Sequence, residues 1–519
     1  MNPGLLKGAD ALLAGDFATL SDLVRAYAEE RPDHPAVIDA EGTLTYGQLD
    51  ARADRVAAAL QRDGAKHSVS IVSSSRNDYV TVYLGALRAG LAVAPLAPSS
   101  LPEQIVAMAQ DADAEHLFLD GDNEQALRAV LAELPPRRIR LDTPQFEQWL
   151  APEGAKPAPV ETTPAMPFNI IYSSGTTGTP KGIVQSHGMR WLHMQRANLY
   201  GYDRHAVTLL STPLYSNTTL VSLFPTLAGG GTAVLMAKFD VVKYLELAQT
   251  YRVTHTMLVP VQYQRVMAHP DFDRYDLSAF RAKFCTSAPF NAALKADILK
   301  RWPGKLTEYY GMTEGGGTCI LVADEFPDKL HTVGRPAEGH DIRLIGEDGK
   351  PVKPGEIGEI VGHSGAIMTN YHKQPGKTAE AEWYDETGKR FIRTGDMGRF
   401  DADGFMQLMD RRKDMIISGG FNIYPSDLEA ILKQHAAVFD VAVVGVASEQ
   451  WGETPVAFVV LRPGSSVSAP ELLLWANAKL GKMQRISAIE FRDALPRSAI
   501  GKVLKRELRD EYGKAAVST

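Results

Sequence analysis

Between residues 20 and 28 the apolar positions fall at Leu20, Leu23, Val24, Tyr27 and Ala28, the spacing that places side chains on one face of a helix. Short β-branched or aliphatic runs, PAVID (35–39) and VSIV (69–72), follow turn signals and read as strands. This alternation over the first 150 residues predicts an α/β sheet. The segment APEGAKPAPVETTPAMP (151–167) is dense in Pro and Ala and can continue neither a helix nor a central strand, so it predicts a surface connection between lobes. From 168 to about 400 the alternation resumes, with FNIIYS, VTLLST, TAVLM, HTMLV and AKFCTS as buried strands. The charged stretch DRRKD (410–414) interrupts it and marks a second boundary. Beyond it, Ser426 with Glu429 and Ser468 with Glu471 predict capping boxes, on either side of the strands VAVVGV and PVAFVVL. The expected architecture is a large, multi-lobed α/β domain over 1–411 and a small α+β domain over 412–519.

Composition narrows the function classes. With Lys+Arg 55 against Asp+Glu 62, the net charge is −7 and no long single-sign run occurs, so bulk charge lends no support to nucleic-acid binding. Cys285 and Cys319 are the two cysteines, too few for a disulfide framework and without metal-ligand spacing, which suits the cytoplasm. The N-terminus has no basic stretch ahead of an apolar core, and nowhere do about 18 apolar residues run together, so no membrane span or leader is expected.

The chemistry begins at YSSGTTGTPKG (172–182), which follows the strand-like FNII. Gly175 and Gly178 open backbone conformations closed to other residues, Ser173, Ser174, Thr176, Thr177 and Thr179 supply hydroxyls, and Lys181 supplies a positive charge. Such a loop can wrap polyphosphate oxygens. It is not the usual P-loop, because Gly182 stands where a Ser or Thr would follow the lysine.

Together with LTYGQLDARADRVAAAL (44–60), YYGMTEGGG (309–317), IRTGDMGRF (392–400), DRRKDMIISGGFNIYPSDLE (410–429) and LPRSAIGKVLKREL (495–508), this loop resembles the adenylate-forming superfamily of acyl- and aryl-CoA ligases, luciferases and peptide-synthetase adenylation domains. The resemblance runs nearly end to end. It implies that a carboxylate attacks the α-phosphate of ATP to give acyl-AMP and pyrophosphate, and that a thiol, of CoA, then displaces AMP. Both reactants of the first step are anions, so the site must neutralise phosphate charge and align the nucleophile.

By the same resemblance, the hydroxyl loop and Lys181 would surround the β- and γ-phosphates, Thr313 would contact the α-phosphate, and Glu314 would bind magnesium. Tyr310 and the turn Thr286-Ser287-Ala288-Pro289 look like the walls of an adenine pocket. Asp396 fits a ribose-binding carboxylate and Arg411 a second ribose or phosphate contact. Lys413 occupies the hinge position. Lys502 matches the lysine that bridges the reacting carboxylate and phosphate oxygens, with Lys505 and Arg506 beside it expected to be solvated. A swing of the small domain about Lys413 would withdraw Lys502 and present Ser418, Gly419 and Gly420 to the pantetheine arm. Trp451 is a candidate CoA contact, with a core tryptophan as the alternative.

The acyl pocket is expected from PLYSNTT (213–219), which includes Tyr215 and Ser216, from VPVQY (259–263), which includes Val259, and from Gly311 and Met312. No positive charge stands among them for a second carboxylate, which favours a monocarboxylate. Family members that use acetate carry tryptophan where Gly311 stands. Gly311, Gly315, Gly316 and Gly317 therefore predict room for an aryl, cinnamoyl-like, alicyclic or medium-to-long acyl group. Many aryl and acyl ligases have an aromatic-His pair where this chain has Tyr215-Ser216. An amino-acid substrate would call for an acidic residue that PLYSNTT lacks. Loading of a carrier-protein thiol, or a non-catalytic nucleotide-binding role, remain the alternatives. The expected partners are small molecules, with the chain a monomer or homodimer.

Overall fold

A computed structural model describes residues 8–173, 181–411, 414–418, 421–448, 451–481, 484–498 and 501–517. The fold is mixed α/β, with a large N-terminal body and a smaller C-terminal unit. Packing divides the chain into Met1–His331 with Pro336–Asp341 and Gly362–Ile392, and Thr332–Arg335 with Ile342–Val361 and Arg393–Thr519. The pivot expected at Lys413 lies outside the described residues.

In the larger unit the first apolar stripe forms the helix Leu20–Glu30, with Leu20, Leu23, Val24 and Tyr27 buried and Ala28 partly so. Thr19 and Asp22 close a capping box at its start. One sheet carries, side by side, Cys319–Val322, Lys305–Tyr310, Ala282–Cys285, His255–Leu258, Val207–Leu210, Thr232–Leu235, Pro35–Ile38 and Thr43–Thr45. The other runs Asn370–Tyr371, Lys181–Ser186, Pro167–Ser173, Ala92–Pro95, Ser68–Val72, Ala114–Leu119 and Arg137–Arg140. Each expected strand is present, and most neighbours are parallel, which is why the runs are apolar on both faces. From 151 to 163 the chain has no helix or strand and is mostly exposed, as its prolines require. Cys285 and Cys319 are unbonded and buried.

The smaller unit contains strand segments at 342–345, 358–361, 393–400 and 406–411 and a second sheet of Phe421–Ile423, Ile416–Ser418, Gly452–Leu461, Val438–Ser448 and Ala488–Phe491. The capping box expected of Ser468 and Glu471 opens the helix Ala469–Asn477. That expected of Ser426 and Glu429 is absent. The helix Pro425–Leu432 starts two residues earlier, with Tyr424 at the cap and no side-chain capping bond. Proline at the first helical position sets the start. The Glu429 carboxylate instead accepts from Val443 N at 2.9 Å and pairs with Lys505 at 2.8 Å. Lys505, expected to be solvated, is accordingly held in an ion pair and only 17% exposed in its side chain, whereas Arg506 is exposed. Among the described residues no helix is long and apolar enough to cross a membrane.

Several histidines of the larger unit are held below the ordinary value by burial. Burial lowers His187 to about 4, His193 to about 3 with Arg190 and Arg196 adding to the effect, and His255 to about 4. These values lie below the unfolded value near 6.5, so the unfolded chain binds the extra protons. The stability gained by keeping the rings neutral is present above about pH 6.5 and is lost as pH falls toward 4, by about 1.4 kcal/mol per pH unit per ring. The urea midpoint should therefore drop steeply across that window, and His187→Gln should flatten the drop. An unchanged slope in the variant would remove His187 from the account.

Candidate active site

Strands Pro167–Ser173 and Lys181–Ser186 pair antiparallel, with Ser173 opposite Lys181, so the two ends of the hydroxyl-rich loop are held together. Ser174, Gly175, Thr176, Thr177, Gly178 and Thr179 lie outside the described residues, as does the Ser173 side chain. A Cβ on Gly182 would lie 2.9 Å from Ile170 Cγ2 and 3.1 Å from the Tyr172 ring. A side chain at 182 would have to displace them.

Lys181 Nζ stands 4.9 Å from the centroid of the Tyr371 ring. The Tyr371 hydroxyl donates to Glu314 Oε1 at 2.8 Å, and the Glu314 carbonyl accepts from Met368 N at 2.8 Å. Tyr371 sits on the short strand Asn370–Tyr371, opposite Ile183 of the Lys181 strand, and is buried against Ile183, Met368 and Ile392, with Met312 partly buried beside them. Burial and the Glu314 carboxylate push the phenol well above the usual tyrosine range, so it stays protonated and remains a donor. Lys181 and Glu314, distant in sequence, are thus brought together through Tyr371. Tyr371 was missed because a two-residue strand carries no readable periodicity.

Glu314 is 9% exposed, and among the described residues no three His, Cys, Asp or Glu side chains converge into a metal cage. Magnesium does not need one, since it takes one or two carboxylates and completes its octahedron with phosphate oxygens and water. The single buried carboxylate therefore fits an ion that arrives with the nucleotide, to which Glu314 would give an anionic oxygen.

Ser287, in the expected adenine turn, has φ +82° and its hydroxyl lies 2.6 Å from Thr218 Oγ1. A non-glycine residue held at positive φ is strained, and such strain persists where the surroundings over-determine it. Ala288 is half-buried and Pro289 exposed. Ser216 is buried and caps the helix Asn217–Ala228, accepting from Thr218 N at 3.3 Å, and Tyr215 before it is half-buried. Val259 is buried at the head of the helix Pro260–Met267. Tyr310 is buried at the end of its strand. Tyr309, on the opposite face, stacks on Phe284 at 5.6 Å and meets Tyr200 edge-on at 5.7 Å.

The room expected from Gly315 and Gly316 is not there. Both have positive φ, +73° and +91°. A Cβ on Gly315 would fall 1.9 Å from the Ala366 carbonyl oxygen, and one on Gly316 2.8 Å from that of Gly362. These glycines admit a neighbouring backbone, which a pocket wall would not explain. At Gly311 the nearest atom to a Cβ is Thr318 Oγ1 at 3.3 Å, the end of a side chain rather than backbone.

In the smaller unit, Asp396 pairs directly opposite Arg411 across antiparallel strands, next to a register shift. Its N–H donates to Thr394 Oγ1 at 3.0 Å. The two expected ribose contacts are thereby neighbours, although the Arg411 side chain is not among the described ones. Ser418 is buried opposite Gly452, and Gly419 and Gly420 lie outside the described residues. Trp451 is 45% exposed, which removes the core-tryptophan alternative. Lys502 is exposed at the end of a tight hairpin in which Ser498 N donates to the Lys502 carbonyl at 2.8 Å and Gly501 takes φ +77°. Arg497 braces it, donating to the Gly501 carbonyl at 2.6 Å.

Residues 24–372 match the family described as AMP-binding enzyme, and residues 427–502 match the AMP-binding enzyme C-terminal domain. The chain belongs to this family of adenylate-forming enzymes. It is 33% identical over 500 residues to a feruloyl-CoA synthase of Amycolatopsis sp, covering 94% of this chain and 97% of that one. It is 29% identical over 523 residues to a fatty acid-acyl-carrier-protein ligase of Streptomyces coeruleorubidus, covering 97% and 98%. Crystalline ATP-bound MatB from Rhodopseudomonas palustris superposes with a TM-score of 0.85 at 27% identity, covering 95% of this chain and 99% of that one.

Proposed function

We propose that this enzyme is an AMP-forming acid-thiol ligase that activates a hydrophobic monocarboxylic acid with ATP and transfers it to CoA. The observation that carries the reading is the link from Lys181 through the Tyr371 ring and hydroxyl to Glu314, in a unit that belongs to the AMP-binding enzymes. In the first half-reaction a carboxylate oxygen attacks the α-phosphorus and pyrophosphate leaves. Lys181 offsets phosphate charge, Thr313 contacts the α-phosphate, Asp396 and Arg411 hold the ribose, and Lys502 bridges carboxylate and phosphate oxygens; Glu314 would hold a magnesium ion, which would supply further positive charge to the phosphates. In the second, a thiolate attacks the acyl carbon and AMP leaves, with Lys502 withdrawn by a pivot at Lys413 and Ser418 to Gly420, with Trp451, meeting the pantetheine arm.

An aromatic acid is the favoured substrate. Kinship with the feruloyl-CoA synthase agrees with this, and the carrier-protein ligase keeps a protein-bound thiol as the second acceptor to test. The test is pyrophosphate release with magnesium-ATP over benzoates, cinnamates, alicyclic acids and fatty acids, each with no thiol, with CoA, or with a phosphopantetheinylated carrier protein. CoA-stimulated turnover greatest on a benzoate or cinnamate is the expected result. Preference for long alkyl chains, or stimulation by the carrier protein alone, would overturn the corresponding half of the reading.

A further inference from the structure

Gln185 lies fully buried in the strand Lys181–Ser186. Its Oε1 accepts from Asn169 Nδ2 at 3.0 Å and from the Arg190 guanidinium, and its Nε2 donates to the Thr313 carbonyl at 2.6 Å. A guanidinium and an amide NH2 offer only hydrogens, so the atom that faces them must be the oxygen, and the amide nitrogen is thereby turned to Thr313. Arg190, 0% exposed in the helix His187–Gln195, also donates to Asn169 Oδ1 at 3.2 Å and to Asn217 Oδ1 at 2.9 Å. Among the described residues no carboxylate pairs with it, and burial lowers it to about 10. Burying a cation without a counter-ion is unfavourable. What it achieves here is to join three amides on three elements: Asn169 on the strand before the hydroxyl loop, Gln185 on the strand after it, and Asn217 directly after Tyr215-Ser216.

We infer that Gln185 is a positioning residue for Thr313, its amide oriented by the buried Arg190 so that the backbone carrying Thr313 is fixed against the strand that carries Lys181. The inference rests on the α-phosphate role of Thr313 proposed above. Nothing in the stretch 172–182 or in YYGMTE reveals it, because the network joins residues 169, 185, 190, 217 and 313 through space.

Gln185→Glu separates positioning from packing. Glutamate keeps the shape and the oxygen that Arg190 requires, adds an opposite charge beside a buried cation, and removes the hydrogen given to Thr313. The melting temperature should be unchanged or raised, while kcat for acyl-AMP formation falls about tenfold and KM for the acid moves less than twofold. In a Thr313→Ala background the same change should cost less than twofold, because no hydroxyl is left to position. A tenfold loss in both backgrounds, or no loss in the wild-type background, would overturn the inference. If Thr313→Ala itself leaves acyl-AMP formation intact, the role of Thr313 fails, and this inference with it. Should Gln185→Glu not fold, Gln185→Met, of similar volume and also without the donor, is judged by the same cycle.

Discussion

Lys502→Ala should reduce acyl-AMP formation by about 100-fold or more, the scale of losing one charge-stabilising contact at a transition state. It should leave thioester formation from supplied acyl-AMP within about twofold of wild type. The contrast comes from the chemistry of the two halves. Only the first brings a carboxylate onto a polyphosphate and needs a cation between two anions. The hairpin that carries Lys502 is closed by backbone bonds between Ser498 and Lys502 and by Arg497, none of which involve the lysine side chain. Truncation of the side chain keeps these closing bonds. Single-turnover assays of each half-reaction decide it, and equal losses in both would refute the withdrawal of Lys502.

Gly315→Ala should be the most destabilising single substitution in the candidate site. At φ +73° an L-residue costs about 1–2 kcal/mol. Its Cβ would also have to displace the Ala366 carbonyl, 1.9 Å away, which itself accepts from Gly316 N at 3.1 Å. Forcing backbone apart in a packed region adds about 1–3 kcal/mol. Thermal unfolding should shift downward by several degrees, and activity should fall for benzoates and fatty acids alike. Gly376→Ala, in open space at negative φ, is the control and should be neutral or slightly stabilising. A Gly315→Ala enzyme of normal stability with altered acid preference would restore the pocket-wall reading.

Much of the fold was legible because parallel, doubly buried strands write themselves as apolar runs. FNIIYS, VTLLST, TAVLM, HTMLV and AKFCTS all became strands, and Ser468 with Glu471 capped their helix. Ser426 with Glu429 misled because a capping pattern is local, whereas the claims on Glu429 come from Val443 and Lys505 elsewhere in the unit. The glycines after Glu314 misled in a similar way. Absence of a side chain in sequence reads as space, yet here a neighbouring backbone fills it.

What the sequence determined by itself was the family and the set of chemical groups: the glycine-hydroxyl loop with Lys181, the Thr313-Glu314 pair, Asp396, Arg411 and Lys502. These lie in contiguous motifs, and a short run can be read from a string. Only the tertiary structure decided what holds those groups. Tyr371 reaches Glu314 across 57 residues and Gln185 reaches Thr313 across 128. Partners so distant in the chain meet through sheet register and burial, and neither is encoded in the residues next to the motif.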